Sequence, residues 1–301
     1  VLVDLSGGLR AQSIVALNET GPDTIPGRVD EQVKLLHATL VDPPSRLLGI
    51  GVVMPGPFEI EGMSSVGPAT LPGWTGVEPG QLFAQATGEH VVIENDATAA
   101  AVGERLYGAG RHMGHFCYLY FGVGLGLGVV QDGRPLRGAF GNAGEIGHIG
   151  LVPRKGRALA GPAGALERFV SVFALREHLA LAGIYAANVD DIQKLHDDNS
   201  PPLLEWIEIA ADYLAPTVGM LENIFDPEAI IFGGGLPDSV LDAMIEALNP
   251  LPVSVATRRQ RTSPRVLRGQ TGRLTAALGA AALPLLDTVS PHLSIAAGAT
   301  P

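Results

Sequence analysis

Residues 90–110 read HVVIENDATAAAVGERLYGAG. An apolar run stops at an asparagine–aspartate pair, and alanine-rich sequence follows at once. HVVIEN has the character of a strand. DATAAAVGERLYGAG has that of a helix, with Asp96 as its N-cap and Gly108 as its stop. A polar pair closing a strand and opening a helix lies where α/β folds tend to bind ligands. Asp96 has two readings there. It caps the helix, or it is a general base within hydrogen-bond reach of a hydroxyl proton. Position alone favours the cap.

The alternation continues in both directions. VLVDLSGG and LRAQSIVAL form two β runs joined by a glycine turn. Residues 30–40, DEQVKLLHATL, have apolar residues at helical spacing. LLGIGVVMPGP is a buried strand ended by a Pro-Gly-Pro stop, and its turn, at Gly56, should face a cleft. CYLYFGVGLGLGVVQDGRPLRG is a hairpin, with an Asp-Gly turn at 132–133 near its far end. Helices are expected over 162–183 and 201–225. AIIFGG then forms a strand leading to a triple-glycine turn at 233–235, and a last helix runs through RLTAALGAAALPLL. Strands alternating with helices predict an α/β fold with parallel or mixed sheets. The tail, SPHLSIAAGATP, is expected to be poorly ordered.

Composition narrows the function. With 301 residues the chain is long enough for two lobes. It is 46% hydrophobic but only 5% aromatic, so its core is mainly aliphatic. A formal charge of −11 makes this stretch a poor partner for nucleic acid or an anionic membrane by itself. No apolar run approaches the ~20 residues of a membrane span. The single cysteine, Cys117, excludes an internal disulfide framework and a multi-cysteine metal site. It lies in an apolar strand and reads as a packed thiol. No secretory signal is visible, which predicts a cytoplasmic protein. Val1 opens directly into strand-like sequence, so the chain is expected to begin mid-fold.

Four stretches carry candidate chemistry. In FGVGLGLGVV, glycines 122, 124, 126 and 128 strip one strand face of side chains, which admits either another backbone or a phosphate. FGGGLP follows a strand and precedes a helix, so Gly233 and Gly234 either make a plain turn or let a nucleotide approach. The strand end at Gly56 is the third. The fourth is 141–167, GNAGEIGHIGLVPRKGRALAGPAGALE, with Glu145, His148 and Glu167. Those three could be a catalytic pair, part of a metal site or a ledge for sugar hydroxyls.

Taken in order, GIGVVMPGP, ATLPGW, IENDATAAAVGERLYGAG, FGVGLGLGVVQDGRPLRG, GNAGEIGH and DPEAIIFGGGLP resemble the ROK family (repressors, open reading frames and kinases), sugar-binding members of the actin-like ATPase superfamily. The resemblance runs from about residue 1 to about residue 291. It implies a two-lobed actin-like (ribonuclease H-like) ATPase fold with a central cleft, its N-terminal lobe at 1–95 and its C-terminal lobe at 96–291, with 292–301 as tail. It also implies that Asp96 is a catalytic base toward a sugar hydroxyl, and that Gly56, Asn95, Glu145, His148 and Glu167 line the sugar site. Gly122, Gly124 and Gly126 would face ATP phosphates, and Gly233 and Gly234 the adenosine. Carboxylates and amides suit a sugar because each hydroxyl both donates and accepts.

The sequence departs from the family in four places. The family's zinc knuckle has cysteines where this chain has Ala158, Ala160 and Ala165, although Gly161, Gly164 and Glu167 are kept. A structural zinc needs about four ligands, so no zinc is expected. Val123 stands where the kinases' phosphate loop has threonine, and Thr70 replaces an asparagine of the sugar-side loop. The family kinases' opening Asp-x-Gly-Gly-Thr loop is not intact. DLSGG at 4–8 is either a degenerate form of it or, as preferred, the next hairpin. These departures resemble the effector domain of a family regulator, with DNA bound through an N-terminal winged helix-turn-helix outside this chain, no cofactor required, and a homodimer or dimer of dimers as the assembly. The alternative is an ATP- and Mg-dependent hexose or N-acetylhexosamine kinase. A sugar-binding relic without either activity is the third reading.

Overall fold

A computed structural model of the chain describes residues 1–17, 19–42, 47–56, 73–74, 76–150, 165–258, 260–261 and 263–289. Thr70, Ala158, Ala160, Gly161, Gly164 and the tail from 292 lie outside the described residues. In chain order the elements are β1 (Leu2–Val3), β2 (Leu9–Ala11), α1 (Ile25–Ala38), β3 (Ile50–Met54), α2 (Pro79–Thr87), β4 (Val91–Asn95), α3 (Asp96–Tyr107), β5 (Phe116–Phe121), β6 (Leu125–Gln131) and β7 (Arg134–Pro135). They continue with α4 (Val172–Leu181), α5 (Val189–Asp197), α6 (Pro201–Phe225), β8 (Ala229–Gly234), α7 (Asp238–Ala247), β9 (Val266–Arg268) and α8 (Thr275–Val289). The α/β expectation holds.

β1 and β2 form a short antiparallel hairpin. Its turn closes on itself. The Asp4 carboxylate accepts from the Ser6 N–H and hydroxyl, from the Gly8 N–H and from Arg10. The Ser6 hydroxyl, with the other donors, holds Asp4 well below the usual carboxylate range. The β run expected over LRAQSIVAL is shorter than its residue types suggest. Only Leu9–Ala11 pairs, and Ile14 and Leu17 stand exposed beyond it.

β3 and β4 make a parallel pair in which Met54 lies opposite Asn95. The larger sheet has the order β7-β6-β5-β8-β9, with β5, β8 and β9 mutually parallel and β6 and β7 antiparallel. Alternation along β5 divides its side chains between two cores. Cys117, Leu119 and Phe121 enter the main core, which α4, α6 and α7 cover. Phe116, Tyr118 and Tyr120 face a second cluster built on α3 and α8.

The alanines and glycines of α3 and α8 have a packing role. Gly103 faces the Thr275 carbonyl, and Gly279 faces that of Ala99, so the two helices touch backbone to backbone. Gly51 of β3 abuts the Ala280 carbonyl in the same way, bringing α8 onto β3. The buried Glu104 fastens α3 to the turn after β9. Its carboxylate accepts from the N–H groups of Ala109, Gln270 and Thr271 and from the Thr271 hydroxyl.

Several boundaries differ from the sequence expectation. Among the described residues of the helix expected over 162–183, the α-helix spans Val172–Leu181 after a 3-10 turn at Leu166–Arg168, and the Ser171 hydroxyl caps it by accepting from Ala174 N–H at 3.0 Å. Residues 201–225 are helical as expected, despite Pro216 inside the run. Elements α2, α5 and β9 were not anticipated, whereas α7 is the helix expected after FGGGLP.

Candidate functional site

The site gathers at the start of α3. Asn95 ends β4 with an extended backbone, φ −65° and ψ 145°. Its Oδ1 accepts from the N–H groups of Ala97 and Thr98 at 2.9 and 3.2 Å. The cap is therefore Asn95, one residue earlier than the expected Asp96, because the chain is still extended at 95 and already helical at 96. Asp96 becomes the first helical residue, and its Oδ1 accepts from Ala97 N–H at 2.8 Å. Burial pushes the Asp96 carboxyl up to about 6, against the opposing pull of the backbone N–H groups.

Gly56 lies two residues past Met54, the register partner of Asn95. A Cβ at Gly56 would stand 2.5 Å from Glu145 Oε1 and 2.8 Å from Asn95 Nδ2. The absence of a side chain leaves the room that both groups border. Glu145 opens a single 3-10 turn, Ile146–His148, and a second such turn, Leu166–Arg168, carries Glu167. The turns are held side by side by the Gly150–Ala165 bridge and by Leu166 N–H donating to the Ile149 carbonyl. His148 stands between the two carboxylates, with Nε2 3.4 Å from Glu145 and Nδ1 3.7 Å from Glu167. Burial raises the Glu145 carboxyl above its ordinary value, His148 opposes the rise, and the charges of Asp96 and Glu167 add to it. Five of the six positions expected on the sugar side, Gly56, Asn95, Glu145, His148 and Glu167, thus stand close together, and Asp96 is within electrostatic reach of Glu145.

A second ion pair, missed in the sequence, braces this cluster. Glu94 is buried beside Asn95, and its Oε2 takes Arg137 Nε at 2.6 Å. Its other oxygen accepts from Asn95 N–H at 3.1 Å. Arg137 lies at the head of the loop that leads into Glu145. A carboxylate inside the apolar run VVIEN was the available signal, since such a group is rarely buried without a partner.

The glycine-rich β6 packs against the start of α3 at Ala97. β5 and β6 turn at 122–124, where Gly122 N–H donates to the Gly124 carbonyl at 3.0 Å and Val123 is 59% exposed. The first amides of α4 seat on that turn: Val172 and Phe173 N–H donate to the Gly122 and Val123 carbonyls at 3.1 and 3.3 Å. A Cβ at Gly126 would stand 2.6 Å from that of Ala97, and Gly128 abuts the Ala97 carbonyl and Ala101. These two glycines admit α3 against the sheet. The open face of Gly122 meets the Tyr120 ring at 3.0 Å. That of Gly233 meets the Tyr118 hydroxyl, and that of Gly234, with φ 121°, stands 2.7 Å from the Phe121 carbonyl oxygen.

At the zinc-knuckle positions the described member, Ala165, is buried and offers only a methyl group. Among the described residues no group of three or more His, Cys, Asp or Glu could hold a metal ion. Cys117 is buried in β5, and burial pushes its thiol up to about 12, which is the packed thiol expected. No helix among the described residues is long and apolar enough to cross a membrane.

A model of the ROK family matches residues 1–285. Over 202 residues the chain is 33% identical to a glucokinase of Thermotoga maritima, an alignment covering 62% of this chain and 63% of the relative. Over 204 residues it is 32% identical to a xylose repressor of Caldicellulosiruptor bescii, covering 63% of this chain and 51% of the relative. The chain therefore spans between half and two thirds of the length of these curated relatives. Among solved structures it is similar to a ROK family glucokinase from Streptomyces griseus in complex with glucose and AMPPNP, with a TM-score of 0.75, 25% identity and 93% coverage of both chains.

Proposed function

The chain belongs to the ROK family, and from that membership we propose that it is the sugar-binding effector part of a transcriptional regulator. One observation carries this reading. The polar cluster at Gly56, Asn95, Asp96, Glu145, His148 and Glu167 is assembled, while the neighbouring turn presents the exposed aliphatic Val123 where family kinases have a hydroxyl donor. Similarity to a xylose repressor supports the same reading.

In this proposal the sugar hydroxyls bridge two parts of the chain. Gly56 and Asn95 lie at the ends of β3 and β4. Glu145, His148 and Glu167 come from the turns after β7. A ligand held by both favours the arrangement that brings them together, and it shifts the population by as much as its affinities for the two arrangements differ. A DNA-binding segment outside this chain would read that shift. A cytoplasmic homodimer or dimer of dimers belongs to the same proposal.

A second reading is favoured by Asp96. A carboxyl with a pKa of about 6 suits a general base, because it is largely ionised at neutral pH yet more basic than an ordinary aspartate. Asp96 would then take the proton of a sugar hydroxyl, as in a hexose or N-acetylhexosamine kinase. Similarity to a glucokinase supports this alternative. The deciding experiment is ADP release by the full gene product over a panel of hexoses and N-acetylhexosamines, with Asp96→Asn as control. Sugar-dependent release that vanishes in the variant establishes the kinase. No release, with a sugar still raising the melting temperature, supports the sensor.

A further inference from the structure

Tyr120 is not used in either reading, and its position is unusual. It lies in β5 with Gly126 opposite on β6 and Gly233 opposite on β8. A tyrosine flanked by glycine on both neighbouring strands has no cross-strand side chain to fix its lean. Its ring lies along the strand over Gly122, where Cε1 occupies the space 3.0 Å from a Cβ position. Tyr118, two residues earlier on the same face, lies with its ring 6.5 Å from that of Tyr120, and its hydroxyl covers Gly233. Tyr118 is fully buried, whereas Tyr120 is only partly so.

A strand glycine opens a path to a phosphate only if the space its missing side chain leaves remains free. At Gly122 and Gly233 phenol groups take that space, and at Gly126 and Gly128 helix α3 takes it. Burial, with a smaller contribution from the nearby Asp96 charge, raises the Tyr120 phenol to about 12. It therefore stays a neutral, uncharged group at neutral pH and offers an anion no compensating charge. These four glycines leave a polyphosphate no free space as they stand.

We propose that Tyr120 is a specificity-determining residue that closes the phosphate side of the cleft, so that the site takes a sugar and refuses a nucleoside triphosphate. The inference rests on the sensor reading, since it assigns residues 122–126 to the side where a kinase would hold its nucleotide. It explains how a site can keep its sugar cluster and the base Asp96 without phosphoryl transfer. The obstacle is the ring itself, not its hydroxyl, because the contact to Gly122 is made by a ring carbon.

The test is isothermal titration of the full chain with Mg·AMPPNP, for the unaltered protein, Tyr120→Phe, Tyr120→Thr and Tyr120→Ser. Retention of the sugar-induced rise in melting temperature shows which variants are folded. The unaltered protein and Tyr120→Phe are expected to show no saturable binding, while Tyr120→Thr or Tyr120→Ser gains at least tenfold in affinity. Saturable binding by the unaltered protein overturns the proposal even if no variant folds. Failure of the folded threonine and serine variants to gain binding overturns it too, because the block then lies elsewhere. ADP release separates this inference from the reading beneath it. AMPPNP binding by the unaltered protein without sugar-dependent ADP release sinks the closure alone, whereas binding with release sinks the sensor as well.

Discussion

On the Glu145 side of Asp96, side chains converge and a glycine makes room for them. On the Gly122 side, side chains fill the room that glycines leave. At Gly56 the absent Cβ leaves the room that Glu145 and Asn95 both border. At Gly122 and Gly233 the same absence is taken up by Tyr120 and Tyr118. Glycine in sequence therefore marks a close approach without saying what approaches. A carboxylate, histidine and amide at fixed positions carry more, because each must find a polar partner or a ligand when buried.

The largest expected effect follows from the converging side. If Glu145 accepts from sugar hydroxyls, Glu145→Ala removes about two hydrogen bonds to a charged group, worth about 3 kcal/mol together. That is roughly a hundredfold in affinity. Titration with whichever sugar raises the melting temperature checks this. Unchanged affinity would remove the proposed sugar ledge and with it the contrast between the two sides.

The next effect concerns the brace behind the cluster. Arg137→Ala leaves the buried Glu94 without its cation. A broken buried pair is strongly destabilising, but Arg137 is 40% exposed and water replaces part of its contribution. A loss of about 2 kcal/mol is expected in urea denaturation. Adding Glu94→Gln removes the stranded charge, so the double variant should be more stable than Arg137→Ala alone. If it is less stable, Glu94 is held by something other than this pair.

Much of this frame was legible in the sequence. The strand–helix unit at 91–107 reads directly from an apolar run followed by alanines, and the Asp-Gly turn from its residue types. Asp132 and Gly133 have φ of 51° and 72°, the left-handed pair that such a hairpin requires. What was missed has physical reasons. Helix α5 announces itself only through its cap, in which Asn188 and Asp191 exchange hydrogen bonds, and its apolar content is slight. β9 is three residues long. Whether Asn95 or Asp96 capped α3 depended on a backbone angle, which an Asn-Asp pair does not specify. Glu94 and Arg137 are 43 residues apart, so their residue types gave no pairing. Tyr120 looked like ordinary core until strand register set it between two glycines.

A smaller effect tests the boundary between the two sides, at Asp96. Burial raises its pKa from 3.8 in the unfolded chain to about 6. Between those values the native state holds a proton that the unfolded state has released. Its contribution to stability is therefore full below about pH 4 and is lost as pH rises through about 6. Asp96→Asn removes that loss of about 3 kcal/mol, and because a neutral amide accepts more weakly from Ala97 N–H, the variant should be more stable at pH 7.5 by about 1–2 kcal/mol net. Denaturation at pH 5 and 7.5 checks the sign. If the variant is equally displaced at both pH values, the effect is packing and not ionisation. Sugar affinity should move the other way, weakening as pH falls through 6 and the carboxylate is lost as an acceptor.

The smallest expected effect is at Val123. This residue is exposed at the tip of the β5–β6 turn, and its backbone is already held from below by the first amides of α4. Val123→Thr restores the hydroxyl that family kinases carry without altering the fold around it. Stability should stay within about 0.5 kcal/mol, as for most surface changes, and sugar affinity should not change measurably, because among the described residues none of the contacts around Glu145 and His148 reaches this tip. Mg·AMPPNP should still fail to bind, since the Tyr120 ring still covers Gly122. Joined to Tyr120→Thr, the new hydroxyl should add to whatever binding that opening creates. If Val123→Thr alone confers AMPPNP binding, the missing donor was the obstacle and the ring was not. The two sides would then differ by one hydroxyl at a turn, and the closure assigned to Tyr120 would be lost.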